Sequence, residues 1–203
     1  MGRRARTRGR SPGWAALSMC FCLCACSGRG SAESTCEQLI RAVSEGDAVG
    51  VFELLTQPTQ WALYSVQKNH ARMWTLVQAD YPQKEQSAAL SRLFAADARD
   101  GRELFSDLYE DRYAAGFAAR LGTGPIQVQR SGPDDARCQR QQTGGPPFHL
   151  ARDPKGRFGL AELAAEWEQA QLRATHDLAT VEKNAELYRL AKRGEASGPA
   201  SGS

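Results

Sequence analysis

In the segment "GTGPIQVQRSGPDDARCQRQ", residues 122–141, the hydrophobic periodicity of the chain changes. As far as Leu121, apolar residues recur at the three- and four-residue spacing of amphipathic helices. Within residues 126–130, and more weakly within residues 136–141, apolar and polar residues alternate, which is typical of half-buried strands. The sequence therefore predicts a helical first half and a sheet that begins after Leu121.

Two further strands are predicted downstream, over residues 148–152 and 157–163. The residues between them, "DPKG" at 153–156, are typical of a type I turn, and the glycines and prolines at 144–147 separate the second strand from the third. Connections this short join neighbouring antiparallel strands. We therefore expect an α+β fold in which N-terminal helices pack on a four-stranded antiparallel meander sheet, followed by a long C-terminal helix.

Capping residues and prolines predict where the helices begin and end. Ser34 and Glu37 have the S-x-x-E spacing of a capping box, so we expect the first helix to begin there. Gly46 and Asp47 predict a break between two helices, and Pro82 predicts the end of the next helix.

The last long helix is predicted over residues 164–193, with Gly194 as its C-terminal cap. Its apolar face is weak, so we expect it to dock on its own domain, and pairing with a partner helix is the alternative. Residues 194–203 are small and polar and are predicted to be disordered.

The N-terminus has a different composition from the rest of the chain. Residues 1–25 contain five arginines and no acidic residue, and residues 14–26 form an apolar run, which is shorter than the roughly 20 residues of a membrane-spanning helix. A cationic segment followed by a short apolar one is typical of a signal peptide, here residues 1–25. Without those arginines the chain has 21 basic and 23 acidic residues, so its charge does not favour binding to nucleic acid.

The end of the apolar run resembles the lipobox of bacterial lipoproteins, with Leu23 and Ala25 at positions −3 and −1 from Cys26. The resemblance implies cleavage before Cys26 and lipid on its sulfur, hence a membrane anchor. Ser27 at the next position implies sorting to the outer membrane, facing the periplasm. Residues 26–34 are then a flexible, lipidated tether.

Two other interpretations of this region stay open. Cleavage of an ordinary secretory peptide near Gly28 or Ala32 would leave a secreted chain without lipid. The four alternating cysteines of residues 20–26 are poor metal ligands, because structural metal sites usually use C-x₂₋₄-C spacing.

The body of the chain resembles the nuclear-transport-factor-2-like superfamily, in its small secreted or lipid-anchored bacterial forms. The resemblance spans residues 36–163 and is carried by four segments: "AVSEGDA" at 42–48, "FELL" at 52–55, "FHLAR" at 148–152 and "GRFGL" at 156–160. It implies a domain over residues 35–163 that encloses a cone-shaped cavity between sheet and helices.

The candidates for lining such a ligand pocket are Trp61, Tyr64, Tyr109, Tyr113 and His149. Aromatic residues at helical spacing are more typical of a core, which is the alternative. His149 follows Phe148 on a strand, so it faces water if Phe148 faces the helices, and the cavity otherwise. The other two histidines, His70 and His176, lie in polar stretches and are predicted to be solvated.

Cys36 and Cys138 stand outside the N-terminal run of cysteines. In an oxidising compartment we expect them to form a disulfide, and two separate buried thiols are the alternative. Neither belongs to a C-x-x-C motif or has a neighbouring histidine, so neither is a candidate nucleophile. The chain carries no HExxH, GxSxG, Walker or Rossmann motif, and we predict neither a metal nor a cofactor.

A length of 203 residues with 41% hydrophobic and 24% charged residues fits one soluble globular domain with a short N-terminal extension. We predict a non-catalytic, lipid-anchored cell-envelope protein that binds a partner protein or a small apolar ligand. One alternative is a pocket isomerase or hydratase that uses His149 with a tyrosine. The other is an envelope assembly or stress accessory that acts through the C-terminal helix.

The lipobox resemblance predicts the fate of Cys26 in a bacterial envelope. Cys26→Ser is expected to abolish lipidation and release the protein from the membrane fraction, because serine offers no thiol for the thioether. The intact mass of the detergent-extracted protein checks this: the unsubstituted chain should begin at Cys26 and carry acyl mass. An unsubstituted chain that begins beyond Gly28 without acyl mass would refute the prediction.

Overall fold

The computed structural model describes residues 30–142 and 144–196 of the chain. Within them, helices precede a four-stranded antiparallel sheet of order β1-β2-β3-β4, and a long helix follows, so the predicted α+β meander is confirmed. The signal peptide, the lipobox residues Leu23, Ala25 and Cys26, and the sorting residue Ser27 lie outside the described residues.

The helices are α1 (Ala32–Glu45), α2 (Ala48–Glu53), α3 (Gln57–Asp80), α4 (Gln83–Leu90), α5 (Gly101–Tyr109), a π-helical turn (Glu110–Ala114), α6 (Ala115–Ala118) and α7 (Ala164–Ala196).

The four strands follow the predicted order with small changes of length. They are β1 (Thr123–Arg130), β2 (Asp135–Gln142), β3 (Phe148–Arg152) and β4 (Phe158–Leu160). β1 begins earlier than predicted, and its pairing with β2 shifts register between Thr123 and Ile126, next to Gly124 with a φ of 84°. Such a bulge needs a residue that tolerates positive φ, which glycine does.

β4 is shorter than predicted, and the segment between α2 and α3 pairs with it. The backbone N–H of Leu160 donates to the carbonyl of Leu54 at 2.7 Å, and the N–H of Thr56 donates to the carbonyl of Leu160 at 3.1 Å. A Cβ on Gly159 would lie only 2.9 Å from the Thr56 nitrogen, so the close approach depends on glycine.

The predicted capping box at Ser34 and Glu37 is wrong. α1 begins at Ala32, and the N-cap is Ser31, whose hydroxyl accepts a hydrogen bond from the Ser34 N–H at 3.1 Å. Ser31 captures that amide one turn before the predicted start, because serine is a favourable N-cap and Ala32 a strong helix former. The last residues of the predicted tether, 32–34, are therefore helical.

The break at Gly46 and Asp47 is confirmed. Gly46 ends α1 in the left-handed conformation, with a φ of 65°, and Asp47 caps α2 by accepting from the Gly50 N–H at 2.8 Å. α3 ends at Asp80, two residues before Pro82, as predicted.

The C-terminal helix docks on α3, and the two helices run parallel. Gln171 Nε2 donates to Ser65 Oγ at 3.4 Å near the start of the contact, and Arg189 pairs with Asp80 at 3.3 Å further along both helices. α7 continues through Gly194 to Ala196, so Gly194 is not the C-terminal cap and the helix extends three residues past the predicted end. Gly194 is exposed and has a helical φ, which costs helix stability but does not break the helix. Residues 197–203 lie outside the described residues.

The main core lies between the inner face of the sheet, the helices α1, α2, α3 and α5, and the first turns of α7. A smaller cluster around Val77, Tyr81 and Ala185 joins the far halves of α3 and α7 to α4. The largest fully buried side chains are Trp167, Tyr109, Phe52, Phe105 and Phe148.

The predicted disulfide between Cys36 and Cys138 is present and joins α1 to β2. Both residues are fully buried in the main core. The bond closes a loop with a sequence separation of 102 residues, so it removes much of the freedom of the unfolded chain.

Cys36→Ala with Cys138→Ala is expected to lower the free energy of unfolding by about 2–4 kcal/mol. Chemical denaturation followed by circular dichroism measures this difference. The unsubstituted protein under strong reductant serves as the control and should approach the stability of the double variant. Equal stability of the oxidised, reduced and substituted proteins would contradict the expected role of the bond.

The turn between β3 and β4 is held by the buried carboxylate of Asp153. Its Oδ1 accepts from the N–H groups of Lys155 at 2.9 Å and Arg157 at 3.0 Å, and the Arg157 guanidinium lies 3.1 Å from Oδ2. Burial alone would raise the pKa of the Asp153 carboxyl, but these hydrogen bonds and the Arg157 charge outweigh burial and hold the pKa below its usual range.

Asp153→Asn is expected to cost about 1–3 kcal/mol near neutral pH, because a neutral amide accepts these hydrogen bonds less well. A depressed folded pKa stabilises the fold above the unfolded value of about 3.9 and loses that contribution as pH falls through the folded value. The stability difference between the two proteins should therefore shrink below about pH 4. Denaturation midpoints measured from neutral pH downward check this, and a difference that does not change with pH would refute it.

Candidate functional site

The two predicted pocket tyrosines, Tyr109 and Tyr113, are buried in the core. Their rings lie 5.8 and 5.6 Å from the ring of Phe105. The Tyr113 hydroxyl donates to Glu166 Oε1 at 2.8 Å, and burial together with this hydrogen bond raises its pKa. These tyrosines are core residues, which was the alternative interpretation.

The other three pocket candidates lie elsewhere. Trp61 is 62% exposed, and Tyr64 lies at the surface with its ring edge-on to Phe52 at 5.8 Å. His149 lies on the opposite face of the sheet, where its Nε2 is 2.9 Å from Asp135 Oδ1. The structure therefore does not bring the five candidates together around one pocket.

The space between sheet and helices is filled by side chains. Phe148 and Leu150 are buried on the inner face of β3, and Phe117 packs edge-on to Phe148 with ring centroids 5.6 Å apart. His149, between them in sequence, faces water on the outer face, which is one of the two orientations that strand alternation allowed.

The outer face of the sheet carries mostly polar side chains, and no helix among the described residues covers it. Cross-strand pairing places Gln127 opposite Gln139, Gln129 opposite Arg137, and Arg137 opposite His149. Two hollows of about 590 and 570 Å³ lie over this face and share Arg137 and Pro147 in their lining. The two hollows adjoin each other and are here called together the sheet groove.

One wall of the sheet groove is the segment Gly145–Pro147, which Arg120 holds in place. The Arg120 guanidinium donates to the carbonyls of Pro146 at 2.8 Å and Pro147 at 2.7 Å, and it lies 3.9 Å from the centre of the Phe148 ring. It also pairs with Glu162, whose Oε1 accepts from the His149 N–H at 2.8 Å. These contacts fix the wall relative to β3.

β1 forms one edge of the sheet, because the described residues place no strand beside it other than β2. Six of its eight residues are exposed, and only Ile126 and Val128 are partly buried. An edge strand presents unpaired backbone N–H and C=O groups that can pair with another chain. The sheet groove and this open edge adjoin each other at Gln127 and Gln129.

Sequence reasoning did not select Arg137 or the three glutamines. The signal was present in the alternation of residues 126–130 and 136–141, since the polar members of two adjacent strands lie on one face. His176 is exposed, as predicted, but the prediction that His70 is solvated is wrong. His70 is 6% exposed, and burial lowers its pKa.

Among the described residues, no cluster of three or more histidine, cysteine, aspartate or glutamate side chains has a geometry suited to a metal ion. The helices in the same part of the chain are all too short or too polar to cross a membrane. No family model matches the chain, and neither a curated protein nor a solved structure is significantly similar to it. The resemblance to the nuclear-transport-factor-2-like superfamily stays a prediction.

Proposed function

We propose that the chain is a non-catalytic binding module of the bacterial cell envelope, anchored by lipid on Cys26, that binds another envelope protein through the sheet groove and the β1 edge. The observation that carries this proposal is the uncovered polar face of the sheet, bounded by a wall that Arg120 fixes and by an open edge strand. A surface so built suits a polypeptide rather than a small apolar ligand, because most of its lining residues are polar and it is open to solvent.

The proposed location is supported by the disulfide and the N-terminal pattern together. Disulfides persist in the periplasm and on cell surfaces and are rare in the cytosol. The Cys36–Cys138 bond is buried in the core, which suits a protein that folds in an oxidising compartment. The sequence of the N-terminal region supports three further parts of the proposal: a signal peptide, a lipobox, and sorting to the outer membrane through Ser27.

The chemistry of the groove indicates the kind of partner. Glutamine side chains both donate and accept hydrogen bonds, as a peptide backbone requires. The Arg137 guanidinium lies within 4.0 Å of no carboxylate among the described residues, so it can pair with an acidic side chain of the partner. We therefore propose an extended, acidic segment that adds a strand beside β1.

The geometry gives less support to a pocket enzyme. An acid or base in such an enzyme needs a place beside an enclosed substrate. His149 is half exposed on the outer face of the sheet and pairs with Asp135, while the space between sheet and helices is filled.

One observation favours a second candidate, the envelope accessory that acts through the C-terminal helix. The inner face of α7 is covered by α3, but three leucines of α7 remain exposed: Leu172, Leu187 and Leu190. These leucines are the alternative contact surface for a partner.

Site-specific photocrosslinking in intact cells tests the proposal. A photoreactive residue at Gln127 or Gln139 is expected to capture the same envelope protein, because both positions line the sheet groove. Gln169, an exposed glutamine on α7, is the matched control and should not capture it. Arg137→Glu should reduce capture roughly tenfold or more, since it places like charge against the acidic segment.

Equal capture from Gln127 and Gln169 would show that the contact is not specific to the groove and would contradict the proposal. Capture of the partner protein by a photoreactive residue at Leu187 but not at Gln127 would favour the C-terminal helix as the contact surface.

A further inference from the structure

A second cleft lies on the helical side of the molecule. It is lined by other residues than the sheet groove and differs from it in chemistry. It has a volume of about 320 Å³, near the lower end of the roughly 300–1,000 Å³ typical of small-molecule sites. α3 contributes His70, α7 contributes Trp167 and Arg173, and the opposite side carries Phe94 and Arg112. Here it is called the arginine cleft.

Three arginines from different elements line the cleft. Arg92 follows α4, Arg112 belongs to the π-helical turn, and Arg173 lies on α7. None of them lies within 4.0 Å of a carboxylate in the described part of the chain, whereas eight other arginines do. Cations that line one cleft without a carboxylate partner favour a bound anion.

Two carboxylates also line the cleft and oppose an anion. Glu166 accepts the hydrogen bond of the buried Tyr113 hydroxyl at 2.8 Å, and Asp177 lies near enough to His70 to raise its pKa against the effect of burial. Because the three arginines outnumber the two acids, the cleft keeps a net positive charge.

His70 contributes a neutral ring rather than a further charge. The Ala95 N–H donates to His70 Nδ1 at 3.4 Å, which leaves the ring proton on Nε2. Burial lowers the pKa of His70, so the ring is uncharged near neutral pH.

Phe94 gives the cleft an apolar wall. Its ring is 53% exposed although it is a large hydrophobic residue, and it is held edge-on to His70 at 5.0 Å, with the Arg112 guanidinium 5.7 Å from the ring centre. An exposed aromatic ring fixed beside cationic groups suits a ligand that is both aromatic and anionic.

The π-helical turn that carries Arg112 is a second, independent pointer to this place. π-helical turns are rare and occur frequently at functional sites. Here the turn buries Tyr113 against α7, and Arg112, which directly precedes Tyr113, lines the cleft.

We propose that the arginine cleft binds a soluble aromatic phosphate monoester, with the phosphate between Arg92, Arg112 and Arg173 and the aromatic group against Phe94. Guanidinium groups match phosphate oxygens with paired hydrogen bonds, and the net positive charge of the cleft attracts a phosphate anion. The site is separate from the sheet groove, so it gives the protein a ligand-binding activity beyond partner binding.

Calorimetric titration of the full processed protein in non-ionic detergent tests this, with phenyl phosphate and inorganic phosphate as probes. Phenyl phosphate should bind saturably at millimolar concentration or below, more tightly than inorganic phosphate and less tightly as salt is added. Arg112→Gln and Arg173→Gln should each weaken binding about tenfold, which corresponds to about 1.4 kcal/mol. Arg41→Gln removes one exposed charge from α1 and is the matched control, expected to change the affinity less than about twofold.

Two further variants keep the test decisive if an arginine variant folds poorly. Asp177→Asn should tighten phosphate binding several-fold, since it removes a repelling charge from the cleft. Phe94→Ala should reduce phenyl phosphate to the affinity of inorganic phosphate. Absence of saturable binding of either probe, or equal weakening by Arg41→Gln and Arg112→Gln, would overturn the proposal without bearing on the sheet groove.

Discussion

The bond between Cys36 and Cys138 is the constraint on which the geometry of this protein depends. It ties the first helix to an inner strand of the sheet, across 102 residues of sequence. Side chains alternate between the two faces of a strand, so a slip of one residue would exchange the faces. A disulfide that holds Cys138 inward therefore holds Arg137 and Gln139 outward. The same bond that stabilises the core also fixes which residues the sheet groove presents.

Two long helices give the other side of the molecule its shape. α3 and α7 are far apart in sequence but run parallel and in contact, and α4 packs where their far halves meet. The first turns of α7 close the main core with Trp167, and the next turns line the arginine cleft with Arg173. One helix thus contributes to both the packing and the second binding surface. The sheet groove and the arginine cleft have no lining residue in common, so each can be tested without disturbing the other.

Local sequence patterns predicted most of the fold, because strand alternation and helix breaks depend on residues that are close together in the sequence. Strand alternation predicted a sheet after Leu121, the Gly46–Asp47 pair marked a helix break, and two cysteines outside the N-terminal run formed the expected bond. Predictions that required knowledge of the packing were less successful. His70 lies in a polar stretch of sequence, yet α7 and the segment after α4 bury it. Tyr109 and Trp61 are both aromatic and both on helices, yet one is core and the other is exposed. The lipobox residues stay a prediction, since they lie outside the described part of the chain.

Amide hydrogen exchange can show whether another envelope protein covers the sheet groove and the β1 edge. Exchange would be compared between the purified protein and the same protein in native envelope fragments. We expect slower exchange in envelopes for residues 126–130 of the open edge strand, with exposed residues of α4 unchanged. Identical exchange of those β1 amides in both preparations would contradict it.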